Sequence, residues 1–130
     1  MVVDTSALVA VLCGEPDADE FVALLAAAED PLISAATLLE ASIVMQARTG
    51  QEGIEDLDDL LRAAAVRSVA FDLRQARAAR DAFSRYGKGR AAAGLNFGDC
   101  FSYALAKVRA RPLLFKGSDF RHTDISPAGR

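Results

Sequence analysis

Four short strand-like runs, Met1-Val2-Val3, Pro31-Leu32-Ile33, Arg67-Ser68-Val69-Ala70-Phe71 and Pro112 to Phe115, recur along the chain with helix-patterned stretches between them. This alternation constrains the fold more than any other feature. Strands separated by crossover helices join one sheet in parallel, with the helices packed on its faces. The expected fold is therefore α/β, a short parallel β-sheet flanked by α-helices. At 130 residues the chain is expected to form a single domain, 1–130, able to bury about two thirds of its unfolded surface without disulfides or a structural metal. No internal repeat or linker is visible.

The helices follow from punctuation and periodicity. Thr5-Ser6 leads into a helix over Ala7 to Cys13, which Gly14-Glu15-Pro16 breaks. Asp17 to Glu29 begins with acids, where a helix dipole favours them, and carries the apolar stripe Phe21, Leu24, Leu25 and Ala28. Ser34 caps a helix to about Thr49-Gly50, on which Leu38, Leu39, Ser42, Ile43 and Met45 are expected to turn inward. Ile54 to Ala65 is a fourth helix. Asp72 to Tyr86 is a fifth, with Leu73, Ala76, Ala79 and Phe83 on one side, and Gly98 or Asp99 starts a sixth that reaches about Ala110.

Several chemistries are excluded early. Cys13 and Cys100 stand alone, without a Cys-x-x-Cys or a Cys/His neighbourhood, and are expected to be buried structural thiols. The single histidine, His122, cannot make a His-x-x-x-His zinc site, and a Ser-His-Asp triad would have to run through it. Hydrolytic chemistry therefore falls to carboxylates. No basic residue precedes Arg48, and the uncharged stretch Thr5 to Gly14 is far shorter than the roughly 20 apolar residues of a membrane span. The expectation is a cytoplasmic protein with no membrane segment.

Charge is strongly polarised. Residues 1–60 hold 13 acids and one base, and residues 61–130 hold 14 bases and five acids. Such a split suits a basic face for a polyanion and an acidic region that gathers cations, although two solvated helix faces of opposite sign would look the same. Arg85, Lys88 and Arg90, around the glycine-rich loop Tyr86 to Arg90, are either phosphate contacts or solvated bases.

Acids directly after the strands of an open parallel sheet share the crevice at its carboxyl edge, and Asp4 and Asp119 satisfy that rule. Asp99 starts a helix, where capping alone would account for it as well. Glu40 lies in the apolar segment Thr37 to Val44 with no neighbouring base, a costly place unless solvent or a cation meets it. Carboxylates that converge repel each other unless a divalent ion compensates, and an all-oxygen set suits Mg²⁺ or Mn²⁺. Spacing by itself does not select four residues from 18 acids.

The strings that carry those acids do select them. Val2-Val3-Asp4-Thr5-Ser6-Ala7-Leu8, Glu40, Leu95-Asn96-Phe97-Gly98-Asp99-Cys100 with Tyr103-Ala104-Leu105-Ala106, and Pro112 to Phe120 resemble, in order and over essentially the whole chain, the PIN-domain ribonucleases. More narrowly the chain resembles the VapC toxins of toxin–antitoxin pairs. The resemblance implies a PIN-like fold and a Mg²⁺- or Mn²⁺-dependent endoribonuclease that cuts a structured RNA, tRNA or rRNA, and so arrests translation or growth. It makes Asp4, Glu40, Asp99 and Asp119 catalytic metal ligands or their close supports, and Ser6 and Asn96 their neighbours. It also implies a homodimer and a cognate VapB-type antitoxin whose arginine reaches the carboxylates.

The rival reading is a non-catalytic RNA- or protein-binding module that retains the PIN fold. Four intact acids argue against it. His122 and Asp124 follow Asp119 closely enough to reach the pocket edge, though a surface position accounts for both. Lys116 after a strand is similar to the lysine of phosphoacceptor receiver domains, but Asp4 is followed by Thr5 rather than by the second acid those domains require.

Overall fold

The structure is a computed structural model and describes residues 1–89 and 91–129. Strands Val2–Val3 (β1), Leu32–Ser34 (β2), Arg67–Val69 (β3) and Leu113–Leu114 (β4) form one parallel sheet in the order β3-β2-β1-β4. Val2 pairs with Leu32 on one side and Leu113 on the other, so β1 is central and its Asp4 leaves the middle of the carboxyl edge. Helices Thr5–Leu12 (α1), Ala18–Ala27 (α2), Ala35–Thr49 (α3), Gln51–Ala63 (α4), Leu73–Tyr86 (α5) and Phe97–Arg109 (α6) complete the α/β architecture, with a 3-10 turn over Asp119–His122. No helix among the described residues is long and apolar enough to cross a membrane.

Alternation along the strands builds two cores. Val2, Leu32 and Leu113 face a cluster with Leu95, Tyr103, Phe115 and Phe120, beneath α5 and α6. Their neighbours Val3, Ile33 and Leu114 point the other way, toward Leu8, Phe21, Leu25, Leu57 and Leu61 of α1, α2 and α4. Both strand residues of β1 are completely buried, which is why two residues suffice to anchor it. Gly53 lets α4 fold back on α3, because a Cβ there would collide with Thr49 Oγ1 and the Met45 carbonyl.

The structure corrects four expectations. On α3 the buried face is Thr37, Ala41 and Met45, while Leu39 and Ile43 are 62% and 57% exposed. On α5 Gln75 and Ala82 are buried and Ala79 packs on the core, whereas Leu73 and Phe83 are exposed. Both helices carry apolar residues on two faces, and periodicity identifies a face without saying which one meets the sheet. Cys100 is buried, but Cys13 is exposed at the end of α1, with Arg48 Nη1 at 3.5 Å from its sulfur. The sequence-based bounds of α4 also shift, because Glu52 in the first turn extends that helix back to Gln51.

Candidate carboxylate site at the sheet edge

Asp4 terminates β1 and caps α1. It is 3% exposed, and both of its oxygens are engaged. Oδ2 accepts from the Ser6 backbone N–H at 3.0 Å and from Ser6 Oγ at 2.7 Å, and Oδ1 accepts from Ser102 Oγ at 2.6 Å. With the Ser102 proton directed at Asp4, Thr37 Oγ1, 3.2 Å away, donates to Ser102 in turn. Three hydroxyls from three helices therefore fix one carboxylate. Lys116, just beyond β4, donates its backbone N–H to Ser6 Oγ at 2.9 Å, which ties the end of the neighbouring strand to the same residue.

Glu40 comes from the middle of α3, and its Oε1 accepts from Thr5 Oγ1 at 2.5 Å. Gly98 makes room for it, since any Cβ at that position would run into the Glu40 carboxylate. Asn96 caps α6 by accepting from the Asp99 N–H at 2.9 Å, and Asp99 Oδ2 accepts from the Asn96 N–H at 3.1 Å. This capping box sets the rotamer of Asp99 and takes up only one of its two oxygens. Capping and site membership are thus the same placement.

Asp4, Glu40 and Asp99 line one pocket of about 330 Å³ together with Thr5, Ser6, Glu15, Arg48 and Lys116. Asp119, at the start of the 3-10 turn, is exposed and stands against Asp99. Burial, then the charges of Asp4 and Asp119, push the Asp99 carboxyl up to about 7, against the Asn96 N–H that favours its charge. The thiol of Cys100, beside it, is pushed up to about 11 by burial and by Asp99.

The other expected residues lie elsewhere. His122 is exposed on the 3-10 turn. Asp124 accepts from Tyr103 Oη at 2.6 Å and Lys107 Nζ at 2.7 Å, and faces a separate cavity lined by Ala106, Arg111 and Ser126. Arg85 sits over the Tyr86 ring, 4.9 Å from its centroid, and donates to its hydroxyl at 2.9 Å. Lys88 is exposed beside it, and Arg90 lies outside the described residues. Sequence reasoning missed Thr5, Glu15, Arg48 and Ser102. Ser102 had a signal, because it stands three residues after Asp99 and so shares its helix face.

An oxygen-only set under mutual repulsion fits a hard divalent cation. Among the described residues no three His, Cys, Asp or Glu side chains form a group that could hold a metal ion as placed. Mg²⁺ commonly takes only one or two carboxylates and completes its shell with water and phosphate oxygens, so a closed cage is not required.

Comparison with known proteins agrees with this geometry. The family model of the PIN domain matches residues 1–126. Ribonuclease VapC30 of Mycobacterium tuberculosis is 56% identical over 126 residues, covering 97% of this chain and 96% of its own. Ribonuclease VapC of Mycolicibacterium smegmatis is 56% identical over 128 residues, covering 97% and 98%. Among solved structures, Mycobacterium tuberculosis VapC20, described as a sarcin-ricin loop cleaving toxin, superposes with a TM-score of 0.77 over 95% of each chain at 17% identity, a likeness of fold. The chain belongs to the PIN-domain family and, within it, to the VapC ribonuclease toxins.

Proposed function

We propose that this chain is a Mg²⁺- or Mn²⁺-dependent endoribonuclease toxin that cuts a structured RNA, tRNA or rRNA, at the pocket lined by Asp4, Glu40 and Asp99 with Asp119 beside Asp99, and so arrests translation or growth. The observation that supports it is convergence: acids distant in sequence meet at the carboxyl edge of the sheet, and Asp99 carries the cost of that crowding. When bound, a divalent ion supplies a water of lowered pKa and charge for the leaving oxygen. The chain's own residues provide orientation. Ser6 and Ser102 hold Asp4, Thr5 holds Glu40, and the Asn96 cap holds Asp99. Arg85 and Lys88, exposed beside the glycine-rich loop, contact RNA phosphates without reading sequence. Incubating the purified protein with total RNA and Mn²⁺ tests the reading; cleavage that chelator does not stop, or that Asp99→Asn retains, would sink it.

Two partners complete the proposal. A VapB-type antitoxin, supported by the family, inhibits by placing an arginine among the carboxylates, where a guanidinium matches their geometry and stands in for the cation. Its inhibition then weakens as Mg²⁺ is raised, and inhibition indifferent to Mg²⁺ would refute the displacement. A second copy of the chain covers the apolar face of α3 and α6, where Leu39, Ile43 and the 79% exposed Phe97 surround a groove of about 320 Å³ that also includes Glu40 and Gly98. The groove is continuous with the site, so dimerisation shapes the approach of RNA. Sedimentation equilibrium should show a dimer that Phe97→Glu converts to a monomer.

A further inference from the structure

Two cations in the pocket have no role in the carboxylate chemistry, Arg48 in the last turn of α3 and Lys116 at the end of β4. Lys116 is the better placed. Its backbone is registered to Asp4 through a single side chain, Ser6, whose hydroxyl accepts from Lys116 N–H at 2.9 Å and donates to Asp4 Oδ2 at 2.7 Å. Its ammonium reaches Glu15 Oε1 at 2.5 Å, and the two side chains remain 33% and 32% exposed. Glu15 is itself held in place, since its N–H donates to the Ala10 carbonyl at 2.9 Å. Arg48, by contrast, is exposed, with only the Cys13 sulfur at 3.5 Å.

Charge decides what this arrangement can do. The lining acids Asp4, Glu15, Glu40 and Asp99 outnumber the lining cations Arg48 and Lys116 by two, and Asp119 stands beside Asp99. A divalent ion would offset that excess, and an ammonium released from Glu15 then adds its own attraction for a phosphodiester oxygen. The pair is partly buried but lines an open pocket, so another anion can reach the ammonium and take the place of Glu15. A lysine ammonium on a flexible four-carbon stem suits such an exchange, because it binds phosphate as a point charge.

We propose that Lys116 fixes the scissile RNA phosphate at the mouth of the carboxylate pocket, and that Glu15 is the placeholder anion that the ammonium leaves when RNA enters. The proposal rests on the ribonuclease reading above. Loss of one charge-assisted phosphate contact costs about tenfold in affinity.

The test uses a short fluorescein-labelled RNA hairpin. Affinity is measured by anisotropy in chelator with the full-length Asp99→Asn protein, and KM by cleavage with the otherwise native protein and Mn²⁺. Lys116→Met should weaken binding about tenfold, lower the slope of log affinity against log salt by about one, and raise KM more than it lowers kcat. Lys116→Arg should recover most of the loss. Glu15→Gln, which removes the competing anion and keeps the ammonium, should bind RNA at least as well as the parent. Arg62→Met, which removes a charge paired to Asp59 on α4 away from the pocket, should change nothing. Parent-like affinity and slope in Lys116→Met would overturn the assignment, as would an equal loss in Arg62→Met or in Glu15→Gln. Failure of the native protein to cut RNA overturns both readings, whereas native cutting with an indifferent Lys116→Met overturns this one alone.

Discussion

The two ends of the sheet treat the same residue type in opposite ways. At the amino edge, just before β2, Asp30 accepts from Arg67 Nε at 3.1 Å and Nη2 at 2.9 Å and from Arg111 Nη2 at 3.3 Å, while Arg111 Nη1 holds its carbonyl at 2.8 Å. Arg67 above all holds its carboxyl down to about 2. At the carboxyl edge Asp99 rises to about 7, because it is half-buried beside other acids and its hydrogen-bond donor is the neutral Asn96 N–H. One edge is compensated within the chain and the other is not. The uncompensated edge is the one where the fold invites a ligand.

The comparison breaks most sharply under neutralisation of each acid. Asp99→Asn should fold and lose more than about a hundredfold in RNA cleavage, because a charged group of the site is gone. Asp30→Asn should cut RNA as the parent does. Equal rates for the two variants in a Mn²⁺ assay would abolish the distinction between the edges. Next in size is Ser102→Ala, which leaves Asp4 Oδ1 and Thr37 without their partner in a buried position and should cost about 1–3 kcal/mol in denaturant unfolding, with a fall in cleavage. Unchanged stability would show that water replaces the hydroxyl.

Gly98→Ala sharpens the comparison further. The nearest atoms to the new methyl are the movable end of Glu40, so the melting temperature should hold, helped by the better helix former. Displacing Glu40 from Thr5 should still reduce cleavage by about tenfold. A parent-like rate would remove Glu40 from the site.

The smallest effect is on stability against pH, measured in chelator. Asp99 has a raised carboxyl, so the folded state binds more protons than the unfolded one between about pH 4 and 7, and stability should decline across that window as pH rises. Asp30 has a lowered carboxyl, so its contribution is present above about pH 4 and is lost as pH falls toward about 2, an effect that salt should screen because the group is exposed. Asp99→Asn should flatten the first limb and leave the second unchanged.

Whereas the caps Asp72 of α5 and Asn96 of α6 came from the structure, the sequence by itself determined the parallel α/β order, the cap Ser34 that begins α3, and the strings around Asp4, Glu40, Asp99 and Asp119. These depend on local chemistry: capping donors, strand alternation and turn residues act within a few positions along the chain. Tertiary structure alone decided which apolar face of α3 and α5 is covered, and it placed Ser102 behind Asp4, Thr5 on Glu40 and Lys116 against Glu15. Those partners are up to 101 residues apart. Periodicity names the members of a face, but only the packing of the other elements determines what that face meets.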